Sequence, residues 1–419
     1  MIETEAGVLV REIPPALPLR SDIPMGPAAE EAAHNAAALW GLPDVVYRAR
    51  IRRVGAGSRE VGDRLLLLDR HAIVIQVKSR AAASEDADRE RRWVAKHTDA
   101  ALKQAKGTIR SLNAAPIRAV NGRGDEIEIR PDQYQWSAVV VLDHPNPPDG
   151  VVPTLDPLSR DACVMLRRDW EFLWEQLRSA HAVGGYLRRT AGDPIELGDE
   201  PVRYFELALA DQTAEPTPLN PALIGTTGRR ASTPLLPLVS TGTDDRAPFL
   251  VLRSIFEDIA TIPFEADRRL RVLAELDRLP VSQRGEIGQA LIDGLARVSK
   301  TPAGMTEWRP RRVIGPLDGQ LSVHLGFGVC SEYSRLHEEA FRAWVALRHH
   351  ETQEITRELD ELTTVGVLLT PRHDGKRPWD TTLVAVLGNL ELDEKTVAAY
   401  KAIWKGFDEA SIEHPSGQL

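Results

Sequence analysis

Between Gly62 and Arg80 the chain reads GDRLLLLDRHAIVIQVKSR, and this stretch constrains the fold more than any other. Its two apolar runs, Arg64 to Leu68 and Ala72 to Val77, have the length of strands and are too short for helices. Asp69, Arg70 and His71 separate them as turn residues, so the segment predicts a β-hairpin. With the turn centred between Asp69 and Arg70, residues whose numbers sum to 139 face each other, which sets Asp63 opposite Gln76. Alternation puts Val74, Gln76 and Lys78 on one face and Ile73, Ile75 and Val77 on the other. The apolar set can face a core, leaving Asp63, Gln76 and Lys78 clustered at one end.

Flanking segments extend the pattern. PAAEEAAHNAAALWG starts at Pro27 and stops at Gly41, the order that helix termini prefer. From Val45 to Arg53 the sequence alternates, with Tyr47, Ala49 and Ile51 on one side and Arg48, Arg50 and Arg52 on the other, a strand with a basic face. A helix is expected over 85–112, a buried strand over Trp136 to Leu142, and a further helix from Asp169 to Leu187. The order is helix, three strands, helix, strand.

At 419 residues the chain exceeds what one core usually serves, so separate domains are expected. Prolines at 216, 218, 221, 234 and 237 among threonines, glycines and serines place a linker at 211–248. This gives an N-terminal arm (1–27), a first domain (28–210), the linker, and a C-terminal α+β domain (249–419). The last is read as helices near 250–260, 265–278 and 284–299, a strand near 321–326, a helix near 332–361, and strands at 365–369 and 382–387.

Two distant cysteines, Cys163 and Cys330, support neither a disulfide framework nor a thiolate zinc site and read as core thiols. The acidic, Pro-rich N-terminus is unlike a signal peptide, and no apolar run approaches a membrane span, so a cytoplasmic protein with no membrane partner is expected. The net charge of −9 is unevenly spread: Val45 to Asn113 holds 16 Lys/Arg against 8 Asp/Glu, leaving −17 elsewhere. Such a basic island suits a local polyanion site.

The hairpin segment resembles the second and third strands of the restriction endonuclease-like, PD-(D/E)XK, nuclease fold, with the likeness covering about residues 28 to 142. It is closest in style to Mrr-like and NERD-like domains, some of which use Gln-x-Lys for Glu-x-Lys. The resemblance implies a mixed α/β chain with an αβββαβ core. It also implies a metal-dependent DNA nuclease using Mg²⁺ or Mn²⁺, with Asp63 as the acid before the hairpin, Gln76 as the third-strand ligand and Lys78 two residues on. A first-helix glutamate, Glu31 or Glu30, would supplement the site, and Gln104 sits where a second-helix glutamine falls. Gly62 replaces the motif's proline.

The chemistry is consistent with that pattern. Phosphodiester hydrolysis needs a hard cation to offset transition-state charge and activate water, and such cations choose oxygen ligands. Asp63 offers a carboxylate, Gln76 a neutral amide oxygen and Val77 its carbonyl; Lys78 would orient water and steady charge on phosphate. Lys96, Lys103, Lys106 and Arg110 recur at helical spacings, and with Arg48, Arg50 and Arg52 they would contact DNA phosphates. Taken singly, each of these residues reads first as a solvated surface group, and only the combination points to the site.

The alternative is an inactive nuclease-fold module acting in DNA binding or as a scaffold. The C-terminal domain would serve a partner protein or a second copy, and by analogy of fold the setting would be bacterial defence or repair. No dinucleotide loop, P-loop, zinc-protease helix or serine elbow is present. Trp170 and Trp174, four apart on a helix, read as core.

Overall fold

The computed structural model describes residues 2–4, 7–9, 12–49, 52–54, 57–59, 64–68, 70–155, 161–213, 236–238, 246–279, 281–302, 305–314, 324–354, 362–374 and 376–408. The chain divides into two compact units. One comprises Met1–Ala214, Pro234–Ser240 and Glu265–Leu270, and the other Glu215–Thr233, Thr241–Phe264 and Arg271–Leu419. Most of the Pro-rich segment 211–248 lies outside the described residues.

The first unit opens with β1 (Ile2–Thr4) antiparallel to β2 (Gly7–Leu9), a pairing within the expected arm whose strands are too short to show a period. Then come α1 (Met25–Trp40), β3 (Val46–Ala49), β4 (Arg52–Val54), β5 (Gly57–Arg59), β6 (Arg64–Leu68), β7 (His71–Ser79) and α2 (Ala87–Ala114). β8 (Ile117–Asn121), β9 (Glu126–Ile129), β10 (Gln135–Asp143), β11 (Ala162–Leu166), α3 (Arg167–Leu177), α4 (Ala180–Thr190) and α5 (Glu200–Thr213) complete it. Seven strands form one mixed sheet in the order β11-β10-β7-β6-β3-β8-β9.

The hairpin has the expected register: Leu68 pairs with His71 and Arg64 with Ile75. His71 belongs to the strand rather than to the turn, and Asp69 lies outside the described residues. The single strand expected over 45–53 is two pieces. β3 joins the main sheet, whereas β4 pairs with β5 in a ribbon of its own. β3, β6 and β7 form an antiparallel meander, and after α2 the chain returns as β10, parallel to β7.

The two sheet faces are covered by different helices. Leu65, Leu67, Ala72, Val74, Ala138, Val140 and Leu142 share a core with Val94, Ala101, Leu102 and Ala105 of α2. On the other face α1 packs on β7 and α3, and Gly184 of α4 meets Leu68 and Ile73. α1 lies close because its inner positions are Ala28, Ala29, Ala33, Ala36 and Ala37, and Trp170 donates its indole N–H to Ala33 O (2.9 Å). Gly41 ends α1 where a Cβ would stand 2.5 Å from Ala37 O and 2.6 Å from the Trp174 ring. Trp170 and Trp174 are fully buried, and their rings meet edge-on. The helix expected over 169–187 is broken in two at Arg178, which takes φ +48°, after which the Ser179 side chain caps α4 by accepting from Ala182 N–H.

From Arg246 onward the chain forms α6 (Arg246–Thr261), α7 (Ala266–Asp277), α8 (Val281–Val298), β12 (Trp308–Ile314), β13 (His324–Cys330), α9 (Arg335–Gln353), β14 (Thr363–Pro371), β15 (Trp379–Leu387) and α10 (Glu394–Asp408). The four strands make a second sheet in sequence order, with a parallel β13–β14 pair between two antiparallel ones. Gly326 and Gly366 bring α9 onto this sheet: a Cβ on either would stand 2.3 Å from Trp344 or Val345.

Beside that contact lies a buried polar chain. His349 Nε2 donates to Gly388 O (2.7 Å), so in the neutral ring Nδ1 accepts, and Thr364 Oγ1 donates to it (2.9 Å). Thr364 in turn accepts from His324 Nδ1, leaving His324 Nε2 to accept from Arg312 Nε (3.2 Å). Cys163 and Cys330 are free and buried, and burial pushes their thiols up to about 12 and about 11. Among the described residues no helix is long and apolar enough to cross a membrane.

Candidate functional site

The C-terminal half of β7 carries Gln76 and Lys78 on the face that α2 covers, because both share the parity of Val74. Gln76 is only 2% exposed, and among the described residues no hydrogen bond reaches its side chain. Its neighbour on β10 is Val140. Lys78, half-buried, donates from Nζ to Gln104 Oε1 of α2 at 2.6 Å. No carboxylate pairs with this ammonium among the described residues. The ladder reaches Arg64↔Ile75, one step short of position 63 opposite Gln76; Asp63 itself lies outside the described residues.

The α1 glutamates are placed differently. Glu30 and Glu31 stand on the helix that covers the opposite sheet face, and the Glu31 carboxylate is held by Arg20 Nη1 at 3.0 Å. Around them are His34, Arg48 and Arg64. Burial first, then Arg64 and Arg48, push the His34 imidazole down to about 4, against the pull of Glu31. Thus Gln76, Lys78 and Gln104 are brought together, and Glu30 and Glu31 stand apart from them. Among the described residues no group of three or more His, Cys, Asp or Glu side chains could hold a metal ion. Val77, 6% exposed, turns its side chain to the α1 face.

Of the expected DNA-contacting residues, Arg48, Lys96 and Arg110 are exposed, Lys106 is half-buried, and Lys103 is paired with Asp99 (2.7 Å). Arg50 and the side chain of Arg52 lie outside the described residues.

Next to Lys78 the structure adds a cluster that the sequence reading missed. Glu90, 2% exposed, receives Arg80 through two hydrogen bonds (2.7 and 2.9 Å), Ser84 N–H (3.0 Å) and His144 Nε2 (2.9 Å). His144 Nδ1 accepts from Asn146 N–H, which fixes the proton on Nε2. The Arg80 guanidinium, followed by Ser84 N–H and His144, holds the Glu90 carboxyl down to about 2 against its burial. Trp93 stacks on His97 with centroids 4.4 Å apart, and Arg80 lies over the indole. His97 is held below the ordinary imidazole value by burial, then by Lys96, Lys78 and Arg80. The spacing Trp93, His97, Gln104 marks one helix face and was the available signal. The partnership of Glu90 with His144 spans 54 residues and had none.

A groove of about 550 Å³ opens further along the same helix, between α2 and the β10–β11 edge. No known protein family, curated protein or solved structure matches the chain.

Proposed function

We propose that the first unit is a metal-dependent nuclease that hydrolyses phosphodiester bonds of DNA. The observation that carries this reading is Lys78: a cation without a carboxylate partner among the described residues, oriented by a neutral glutamine beside an unbonded, buried Gln76. The connectivity α1-β3-β6-β7-α2-β10, with a meander followed by a parallel fourth strand, supports the same reading. With β4, β5, β8 and β9 set aside, it resembles the αβββαβ order of the restriction endonuclease-like fold.

The Gln76 amide oxygen fits a ligand role, because hard cations choose oxygen ligands. Asp63 and Gln76, with the Val77 carbonyl, would hold Mg²⁺ or Mn²⁺. Glu30 and Glu31 do not fit that set. The cation would neutralise phosphate charge and lower the pKa of a bound water. Lys78, aimed by Gln104, would donate to the phosphate oxygens as their charge develops.

The test is cleavage of plasmid DNA with Mg²⁺ or Mn²⁺ by the wild type, Asp63→Ala and Lys78→Ala. Losses of 100-fold or more are expected for both variants, in the range for removing a charge-stabilising group; equal cleavage by all three would sink the assignment. A second reading, an inactive DNA-binding module, is favoured by the placement of Glu30 and Glu31, which leaves a single carboxylate in the set. Salt-sensitive DNA binding without metal uptake or cleavage would select it.

A further inference from the structure

We propose that the groove between α2 and the β10–β11 edge binds one unpaired nucleotide of a single-stranded nucleic acid, its base against Trp136 and its phosphates on the α2 side. The proposal rests on the reading of the first unit as one that acts on nucleic acid. At about 550 Å³ the groove falls within the size of small-ligand sites. It stays open because Ala138 and Ala162 line it where larger side chains would fill it.

Its lining divides by chemistry. From α2 come Lys106 and Arg110, one turn apart, with Ile109 and Asn113 beside them. Arg110 is exposed and has no hydrogen-bond or ion-pair partner among the described residues, so it can take a phosphate. From the sheet comes Trp136, whose indole N–H is buried without an acceptor. Among the described residues the one acid lining the groove, Asp161, precedes β11 and would turn phosphates towards the helix. An aromatic wall facing a basic rail is the arrangement that holds single strands, since every unpaired base offers a π face.

Position ties the groove to the candidate site. Trp136 has the parity of Ala138 and Val140, so it shares the sheet face of Gln76. Trp136 stands four positions before Val140, the β10 neighbour of Gln76, about 13 Å along the strand. A strand with one base in the groove would therefore have a phosphodiester a few nucleotides away within reach of Lys78.

Binding of a fluorescent 12-nucleotide single strand, and of the same sequence as a duplex, tests this with the full chain in EDTA, where cleavage cannot intervene. Trp136→Ala should weaken single-strand binding roughly 5- to 100-fold and leave duplex binding within about twofold. Arg110→Ala should lower the single-strand salt slope by about 0.7. Asn113→Trp, which blocks the mouth from an exposed position, should reproduce the single-strand loss should Trp136→Ala fail to fold. Unchanged single-strand binding by these variants, an equal loss on duplex, or no single-strand binding by the wild type at low salt would overturn the proposal. The nuclease reading stands or falls separately, on cleavage by Lys78→Ala with metal.

Discussion

Gly41 illustrates how much one side chain can decide. A side chain there has no space: Ala37 O and the Trp174 ring occupy the position of a Cβ. Gly41→Ala should therefore destabilise the protein by about 1–3 kcal/mol through overpacking, read as a lower urea midpoint at unchanged slope. Glu90 is constrained by charge instead. The Arg80 guanidinium holds its folded carboxyl down to about 2, below the unfolded value, so its contribution is complete above about pH 4.5 and is lost as pH falls towards 2. Glu90→Gln should flatten stability against pH over that acid window, and an unchanged profile would contradict the ion-pair geometry.

At the scale of elements, the buried chain from Arg312 to Gly388 is satisfied with both histidines neutral. Burial, then Arg312, His349 and Arg348, depress His324; burial, then His350, depress His349, with the Gly388 carbonyl opposing. Glu351 faces the cluster through Arg312 (3.1 Å). The unfolded chain takes up protons near pH 6.5 while the folded chain resists, so stability is full above that pH and declines below it. The melting temperature should be level from about pH 8 to 7 and fall below about 6.5, with a shallower fall in His349→Gln; identical slopes would argue against the assigned proton positions.

Elements also differ in how openly they were written. The β6–β7 hairpin was legible because period-2 runs flank a short turn, and the turn set the register. β8 and β9 escaped notice although Ile117 to Ile129 alternates, with Gly124 at φ +93° in the turn. β11, ACVML, is buried throughout and carries no period. β12 reads WRPRRVI, where Pro310 and three arginines suggest a loop; as an edge strand it tolerates a residue without an N–H. The glutamates of α1 stand apart from Gln76 and Lys78, and a helix position in sequence does not say which sheet face the helix will cover.

At the scale of the whole molecule, two compact units with separate cores predict two unfolding transitions. Gly366→Ala, which drives a Cβ into Val345 and Phe341, should lower one transition by the equivalent of about 1–3 kcal/mol and leave the other in place. Calorimetry would check this, and a single transition shifted as a whole would mean that the units unfold together.

The placement of Gln76 and Lys78 on β7 bears on durability. That strand is hydrogen-bonded to β6 on one edge and β10 on the other, and helices cover both of its faces. Fraying from a sheet edge must remove neighbouring strands before it reaches these residues. Amide deuteration along Ile73 to Val77 should accordingly be among the slowest in the first unit, proceeding only as the whole unit opens. The local geometry of Gln76 and Lys78 would then persist for as long as the unit itself remains folded.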